Sequence, residues 1–155
     1  MYNHAPNDYV CPFCLLVKGI ENEHNSVKQT DIVYRNDEVT SFIAMRKWPN
    51  NVGHVLIIPN QHFENIYDLP MEFAGKIQEV ARITAIAMKT AYSCDGIMLR
   101  QHNEAAGEQR LWHYHLHVIP RYENDNLHLS QKQPFPANER AEYALKLRTK
   151  IKATL

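Results

Sequence analysis

Three histidines occupy alternate positions within residues 112–122, at His113, His115 and His117. Because a β-strand points successive side chains to opposite faces, this spacing puts the three imidazoles in one row and apolar residues in the other. On a helix the same residues would turn through about 100° per position and would share no site. Neutral imidazole is a nucleophile near pH 7, and neighbouring imidazoles disfavour each other's protonation. Although histidines are also found solvated or hydrogen-bonded in cores, three in register predict a metal-binding or catalytic strand, which we expect Pro120 to end.

A second chemical motif lies near the start of the chain, in Cys11-Pro12-Phe13-Cys14. Two thiols at this spacing form half of a zinc site, which would need two further ligands such as histidines. The same spacing also fits a dithiol redox pair at the start of a helix, or simply two buried small residues. We expect the third cysteine, Cys94, to be a buried apolar residue and not a nucleophile.

Composition narrows the class of protein that could carry these motifs. The 155 residues suffice for one domain, and 17 basic residues balance 17 acidic ones, so no net charge attracts a nucleic acid. No apolar run approaches the roughly 20 residues of a membrane span, and the first residues lack a basic segment followed by an apolar one. Three cysteines fit a reducing compartment. We therefore expect a cytoplasmic protein that holds any small anionic ligand locally.

Five strands are predicted from runs of apolar and β-branched residues bounded by turn signals. They are 32–34, 39–43, 53–59, 96–101 and the histidine strand. Residues 35–38 are predicted to form a hairpin turn. Gly53, which has no side chain, permits another segment to approach the backbone closely beside His54.

Two helices complete the predicted elements, which gives an α+β fold. A long helix runs to about Tyr92 with Asp68 as its N-cap and Pro70 in its first turn, and its apolar residues follow the 3.6 period. A terminal helix covers 139–153 and is capped by Asn138. Residues 123–137 between strand and helix are polar and irregular. The polar loop 102–109 before the histidine strand could hold phosphate oxygens with its amides, or it could be a solvated hairpin loop.

Taken together, these motifs resemble the histidine triad (HIT) family of nucleotide-binding hydrolases and transferases. The resemblance lies in the triad followed by Val-Ile-Pro-Arg, in Gly53-His54-Val55 with Ile58-Pro59-x-x-His62, and in the loop 107–109. It covers about residues 10–122 and implies a five-stranded antiparallel sheet with a long helix, usually in a homodimer. We accordingly expect one HIT-like domain over 1–155, with residues 123–155 as a C-terminal extension.

The resemblance also implies roles for individual residues. His115 is the nucleophile that attacks the α-phosphorus of a nucleoside phosphate derivative, and water then cleaves the nucleotidyl-histidine. His117 binds phosphate and helps to fix the tautomer of the nucleophile, with His54 packed behind both. Gln109, with an amide from the region of His102 or Asn103, contacts the α-phosphate or the leaving group.

Family members that begin with Cys-x-x-Cys bind zinc, and the resemblance carries that pattern onto four residues. The implied ligands are Cys11, Cys14, His62 and His113. A closed Cys₂His₂ site leaves no open position for water, so the zinc would be structural.

Two departures from the family pattern bear on the substrate. Glu108 stands where many relatives carry glycine, which places a carboxylate close to the expected phosphate unless it points away or pairs with Arg110. The strand before Gly53 carries 44–47, Ala-Met-Arg-Lys, and lacks the Asp or Asn with which relatives hold the ribose hydroxyls. Basic residues that could serve additional phosphates are Arg46, Lys47, Arg100 and Arg110.

The sequence therefore predicts a zinc-containing nucleotide hydrolase that acts on a phosphoanhydride or phosphoramidate bond. Three alternatives stay open: a nucleotidyltransferase with the same intermediate, a nucleotide-binding or partner-binding module with incidental turnover, and a dithiol oxidoreductase.

Overall fold

The computed structural model describes residues 2–153. The strands are β1 (Ile32–Arg35), β2 (Val39–Ile43), β3 (Arg46–Lys47), β4 (Val55–Pro59), β5 (Gly96–Gln101), β6 (Leu116–Arg121) and β7 (Gln133–Pro134). The helices are α1 (Pro12–Val17), α2 (Met71–Tyr92) and α3 (Ala137–Lys152), with 3₁₀ turns at Gln29–Asp31 and Leu127–Leu129. None of the helices among these residues is long and apolar enough to span a membrane.

The main sheet has five antiparallel strands in the order β1-β2-β4-β6-β5. The predicted hairpin joins β1 to β2, where the Asn36 side chain accepts hydrogen bonds from the backbone amides of Glu38 and Val39. Such an Asx interaction is what makes asparagine a turn residue. The predicted α+β class and the five-stranded antiparallel sheet are confirmed.

The apolar core lies between one face of this sheet and the helices α2 and α3. The buried positions of α2 follow the predicted period and include Ile77, Val80, Ala81 and Met88. The buried residues of α3 include Ala144, Leu147 and Ile151, which recur at helical spacing. Burial of these stripes fixes the sheet on one side. The other face carries the histidines beside a second apolar cluster, in which α1 packs against Phe42, Leu56 and Ile58.

The histidine strand differs in two ways from the prediction. β6 begins only at Leu116, so that His113 and His115 lie in the extended segment before it. Pro120 does not end the strand, which continues to Arg121 and pairs Pro120 with Ile97. The Pro120 carbonyl accepts a hydrogen bond from the Asn51 side chain. An N–H at this residue would point to the same side as the carbonyl, away from β5, so its absence in proline removes no hydrogen bond between β5 and β6.

Both predicted helix caps are wrong. Pro70 and Pro136 are the N-cap residues of α2 and α3, and no side chain caps either helix. Their extended backbones turn the chain into each helix, and their carbonyls accept the first helical hydrogen bonds from Ala74 and Arg140. Asp68 therefore lies outside α2, and Asn138 lies inside the first turn of α3.

Gly53 makes the close approach that the sequence predicts, but it precedes the strand, because β4 begins at Val55. Its φ is +86°, and a Cβ at this position would lie 2.5 Å from Tyr143 Cδ1 and 2.8 Å from the Tyr92 hydroxyl. Glycine therefore lets the helices α2 and α3 pack directly against the residue before His54.

The segment 123–137 contains more structure than its polar sequence indicates. It holds the 3₁₀ turn Leu127–Leu129 and the strand β7, which pairs with β3 in a small second sheet. Leu127 and Phe135 are buried, which anchors both ends of the segment.

Candidate functional site

The alternation around the triad separates two faces, as predicted. Tyr114, Leu116 and Val118 are buried in the core beneath the sheet. The three triad histidines lie on the opposite face, but they do not share one site. His113 joins the two cysteines, whereas His115 and His117 face a large cleft.

Four residues form one cluster, as the zinc pattern implies, and we call it the metal-binding cluster: Cys11, Cys14, His62 and His113. Their four ligand atoms all lie within 4.8 Å of one another. His113 Nδ1 is 3.3 Å from Cys11 Sγ, and His62 Nδ1 is 3.3 Å from Cys14 Sγ. These separations suit a tetrahedral ion with bonds of about 2.0–2.3 Å to nitrogen and sulfur.

Two features around this cluster also fit a metal ion. His113 Nε2 lies 3.0 Å from the Pro59 carbonyl and donates to it, which leaves Nδ1 as the free lone pair directed at the thiols. A hydrogen bond from Cys14 lowers the pKa of the Cys11 thiol, so this group readily becomes the thiolate that a metal requires. The donor set and its surroundings therefore fit a structural zinc ion.

Solvent reaches this cluster from one side only. Cys11 and His113 are buried, Cys14 is half-buried and His62 is exposed. Phe13, which is fully buried, packs its ring edge-on against both His113 and His115, at centroid distances of 5.8 and 5.6 Å. This ring separates the metal-binding cluster from the second group of histidines.

His54, His115 and His117 form that second group, which we call the reaction cluster. His115 Nδ1 is 2.7 Å from the His113 carbonyl, and His117 Nδ1 is 3.3 Å from His54 Nε2. The His115 and His117 rings are 5.0 Å apart. Since a carbonyl only accepts, it fixes the proton of His115 on Nδ1 and leaves Nε2 with a free lone pair.

Burial keeps the reaction cluster uncharged. It lowers the pKa of His54 to about 3 and that of His115 to about 4, and it holds the pKa of His117 well below its ordinary value. The positive charge of Lys132 lowers all three further. At pH 7 His115 is therefore a neutral imidazole, the form that can act as a nucleophile.

Cys94, by contrast, is a buried thiol whose pKa is raised by burial, as expected of a core residue.

The cleft above the reaction cluster has a volume of about 710 Å³. Its floor includes His54, His115 and His117, and Leu56 and Arg100 flank His117 on the neighbouring strands. A cleft of this size can hold a nucleotide-sized ligand.

The residues predicted to bind phosphate are divided by the structure. His102 lines the cleft, and its ring packs edge-on against His117 at 5.5 Å. Gln109 is buried away from the cleft, where its amide accepts from Glu104 and donates to the carbonyls of Glu64 and Leu111.

Asn103 is likewise outside the lining of the cleft. Its side chain accepts from the Ile66 amide and exchanges hydrogen bonds with Gln101. In this conformation Gln109 and Asn103 hold the loop in place, and only His102 of the three faces the cleft.

The two departures from the family pattern both lie at the cleft. Glu108 points outwards with its side chain 72% exposed, and its carboxylate lies 3.4 Å from Arg100 instead of pairing with Arg110. Arg46, Arg100 and Arg110 all line the cleft, whereas Lys47 turns away to bind Glu139.

Sequence reasoning missed two residues of the cleft, Trp48 and Lys132. Trp48 follows β3 and packs its ring 5.0 Å from that of His54. Lys132 comes from the segment before β7, and its Nζ lies 4.3 Å above the Trp48 ring. A lone tryptophan and lysine carry no spacing signal, because only the β3–β7 pairing brings them together.

Comparison with known proteins identifies relatives of this arrangement. The family model for the HIT domain matches residues 25–124. An uncharacterized HIT-like protein of Borreliella burgdorferi is 34% identical over 119 residues, which cover 76% of this chain and 79% of that protein. The adenosine 5'-monophosphoramidase HNT1 of Saccharomyces cerevisiae is 32% identical over 117 residues, or 76% of this chain and 66% of that protein.

Among solved structures, a zinc-bound histidine triad family protein of Mycobacterium smegmatis superimposes with a TM-score of 0.76 and 26% identity. The superposition covers 93% of this chain and 94% of that one.

Proposed function

The chain belongs to the HIT domain family, and from that premise we propose that it is a nucleotide hydrolase acting at the α-phosphate. The bond cleaved is a phosphoanhydride or a phosphoramidate, and His115 carries the nucleotidyl group between two displacements. The monophosphoramidase activity named for the yeast relative supports this class of reaction.

The single observation that carries the proposal is the environment of His115 Nε2. The His113 carbonyl holds the proton on Nδ1, burial keeps the ring neutral, and the ring lines the cleft. A nucleophilic nitrogen needs all three conditions at once.

In the first displacement His115 Nε2 forms a bond to the α-phosphorus, and the bond to the leaving group breaks with its electron pair on that group. The ring then carries a positive charge, which the 2.7 Å contact between Nδ1–H and the His113 carbonyl stabilises. In the second displacement a water oxygen bonds to phosphorus while the Nε2–P bond breaks with its electron pair on Nε2, which returns His115 to the neutral form, and the proton lost by the water passes to solvent. The products are the nucleoside monophosphate and the released leaving group.

His117 supplies a hydrogen-bond donor in this scheme. His54 Nδ1 is buried and has no partner among residues 2–153. Because an unpaired acceptor costs less than an unpaired N–H, His54 carries its proton on Nε2 and donates it to His117 Nδ1. His117 Nε2–H is then left to donate to a phosphate oxygen, with His102 beside it.

We propose zinc as the metal held by Cys11, Cys14, His62 and His113, with a structural role. When bound, the ion would cross-link the first helix to the segments around His62 and His113 and would supply no step of the reaction. The zinc-bound relative supports this choice. A small nucleotide ligand, a cytoplasmic location and a homodimeric assembly stay predictions from the sequence.

The test is AMP release from adenosine phosphoramidate, an AMP–lysine conjugate and dinucleoside polyphosphates by metal-replete protein. We expect His115→Ala to lower release by roughly 10³-fold or more, since the nucleophile is lost. His24→Ala is the matched control, because His24 is an exposed histidine away from the cleft. An equal, low rate in the wild type and His115→Ala would contradict the proposal.

A non-catalytic nucleotide-binding module is the second candidate, and it is favoured by the inward position of Gln109. It predicts nucleotide binding without turnover in the same assay. Transfer of the nucleotidyl group to an acceptor other than water would appear in the product analysis. A dithiol oxidoreductase would instead show a titratable Cys11–Cys14 disulfide and no bound metal.

A further inference from the structure

The segment 127–135, here called the strap, crosses from the end of β6 to the rim of the cleft. Buried Leu127 and Phe135 anchor its two ends, and the Phe135 amide donates to the Met45 carbonyl at 3.0 Å. Between these two anchors, residues 133–134 of β7 pair with β3. The strap lies outside residues 25–124, the part of the chain that the HIT domain matches.

Lys132 is the charged residue that the strap brings to the cleft. Its Nζ lies 4.3 Å from the centre of the Trp48 ring, a cation–π contact, and its carbonyl accepts from Arg46 at 2.7 Å. Burial lowers the pKa of Lys132, and the charges of Arg100, Arg110 and Arg46 lower it further. The lysine is therefore held among other cations, and Glu108 is the acidic residue that partly offsets their charge.

The charge of the cleft contrasts with that of the whole chain. Four basic side chains line the cleft, namely Arg46, Arg100, Arg110 and Lys132. Glu108 is the one acidic residue in that lining, although acidic and basic residues balance over the sequence at 17 each. Gathering like charges around a concave surface costs free energy, which a multiply charged anion would offset.

A single α-phosphate cannot balance this excess. In a phosphoramidate or an internal phosphoanhydride it carries about one negative charge, whereas each further phosphate adds at least one more. The cations therefore match a ligand with several phosphates better than a ligand with one.

We propose that Lys132 binds a phosphate of the leaving group, so that the strap selects nucleoside derivatives with at least one phosphate beyond the α-phosphate. This inference rests on the proposed function, because His115 marks where the α-phosphate lies. Lys132 lines the same cleft as His115 and His117. The preferred substrate then has a phosphoanhydride bond and not a phosphoramidate bond.

Binding tests the inference without any need for turnover. In a His115→Ala background, calorimetry gives the Kd of AMP, ADP and ATP for the parent, for Lys132→Gln and for Lys146→Gln. Lys146 is the matched control, because its Nζ also lies over an aromatic ring, 4.9 Å from Tyr143, but not in the cleft.

We expect affinity to rise from AMP to ATP in the parent. Lys132→Gln should weaken ATP binding by about tenfold and AMP binding by less than about threefold, which is the scale of one charge-assisted hydrogen bond. Lys132→Arg should restore ATP binding, and Lys146→Gln should change nothing. Equal effects of Lys132→Gln on AMP and ATP, or no effect on either, would overturn the inference.

Turnover then separates this inference from the proposed function. With His115 present, Lys132→Gln should lower kcat/KM for diadenosine triphosphate about tenfold relative to adenosine phosphoramidate. If the wild type cleaves neither compound, the hydrolase proposal fails, while the nucleotide series above still decides the role of Lys132. If the wild type cleaves both and Lys132→Gln lowers both rates equally, the hydrolase stands and the selection by the strap fails.

Discussion

His113 and His115 are two residues apart, yet they belong to clusters with opposite surroundings. In the metal-binding cluster each imidazole faces a thiol, and solvent reaches Cys14 and His62. In the reaction cluster the imidazoles face one another and a backbone carbonyl, and all are buried. Since His113 and His115 are both buried, the difference between them lies in their partners, a thiol for the His113 ring and a backbone carbonyl for the His115 ring.

The two clusters are nevertheless joined through His113. Its ring nitrogen faces the thiols, while its carbonyl fixes the tautomer of His115. A structural ion beside the reaction cluster could therefore affect catalysis without touching a reacting atom. The variants below are chosen to separate these two contributions.

The largest expected difference is in stability. Cys11→Ser removes one of the four proposed metal ligands, so we expect the metal to be lost and the free energy of unfolding to fall by about 4 kcal/mol or more. His115→Ala should lower it less, by about 1–2 kcal/mol, since it removes one hydrogen bond and a ring contact with Phe13 but no metal ligand. Urea unfolding of metal-replete proteins measures both. Equal losses in the two variants would contradict the division of roles.

His113 tests the link between the clusters. His113→Ala should lose the metal and lower kcat by roughly 10–100-fold, because the carbonyl that holds His115 loses its anchor. His113→Cys supplies a thiolate in its place and should recover metal content and part of kcat. Metal analysis and steady-state kinetics on the same samples measure this. If His113→Ala lost the metal at unchanged kcat, the two clusters would be independent.

Gly53→Ala should disturb the packing of α2 and α3 beside His54. The added methyl would meet Tyr92 and Tyr143 at a backbone φ of +86°, so we expect a loss of about 2 kcal/mol in unfolding free energy. Metal content should stay at the wild-type level, because the atoms nearest to the added Cβ belong to Tyr92 and Tyr143 and not to a proposed metal ligand. Gly75→Ala in α2 is the control, since its Cβ would meet no atom within 4 Å. Metal loss in Gly53→Ala would argue against separate clusters.

The pH dependence of stability tests whether burial holds the reaction cluster uncharged. Burial lowers the pKa of His54 to about 3 and that of His115 to about 4, from an ordinary 6.5. As the pH falls below 6.5 the unfolded chain binds protons that the folded chain does not. Stability should therefore decline between about pH 6.5 and pH 4, by up to about 1.4 kcal/mol per pH unit for each group.

His54→Gln isolates this contribution, because protonation of the metal-binding cluster is common to both proteins. Denaturation curves at pH 7 and pH 5 should give a shallower decline for His54→Gln than for the wild type. Parallel declines would mean that His54 is not held neutral by burial.

Local signals account for most of the fold that could be predicted. The ends of β2 and β5 coincide with the predicted runs, since alternation and turn residues lie within the segments themselves. The division of residues 113–118 between core and site follows from the same alternation. The grouping of Cys11, Cys14, His62 and His113 came instead from the family resemblance, because spacing alone left those thiols with three interpretations.

The features that escaped prediction depend on contacts between distant segments. β3 and β7 are two residues long and exist only because they pair with each other. The Gln109 side chain hydrogen-bonds to the backbone of Glu104, Glu64 and Leu111. The spacing of polar and apolar residues in the sequence does not reveal that this loop folds back on itself. Lys132 reaches the cleft because Leu127 and Phe135 are buried on either side, within a segment whose composition is polar.

The most direct test of the account is to trap the nucleotidyl group on the protein. Metal-replete wild type is mixed with its best adenosine substrate, quenched within one turnover at alkaline pH and analysed by intact mass and peptide mapping. We expect a mass increase of one adenylyl group on the peptide that contains His115, absent from His115→Ala and present in His24→Ala. An adduct on another residue, or rapid AMP release with no adduct at any quench time, would contradict a covalent role for His115.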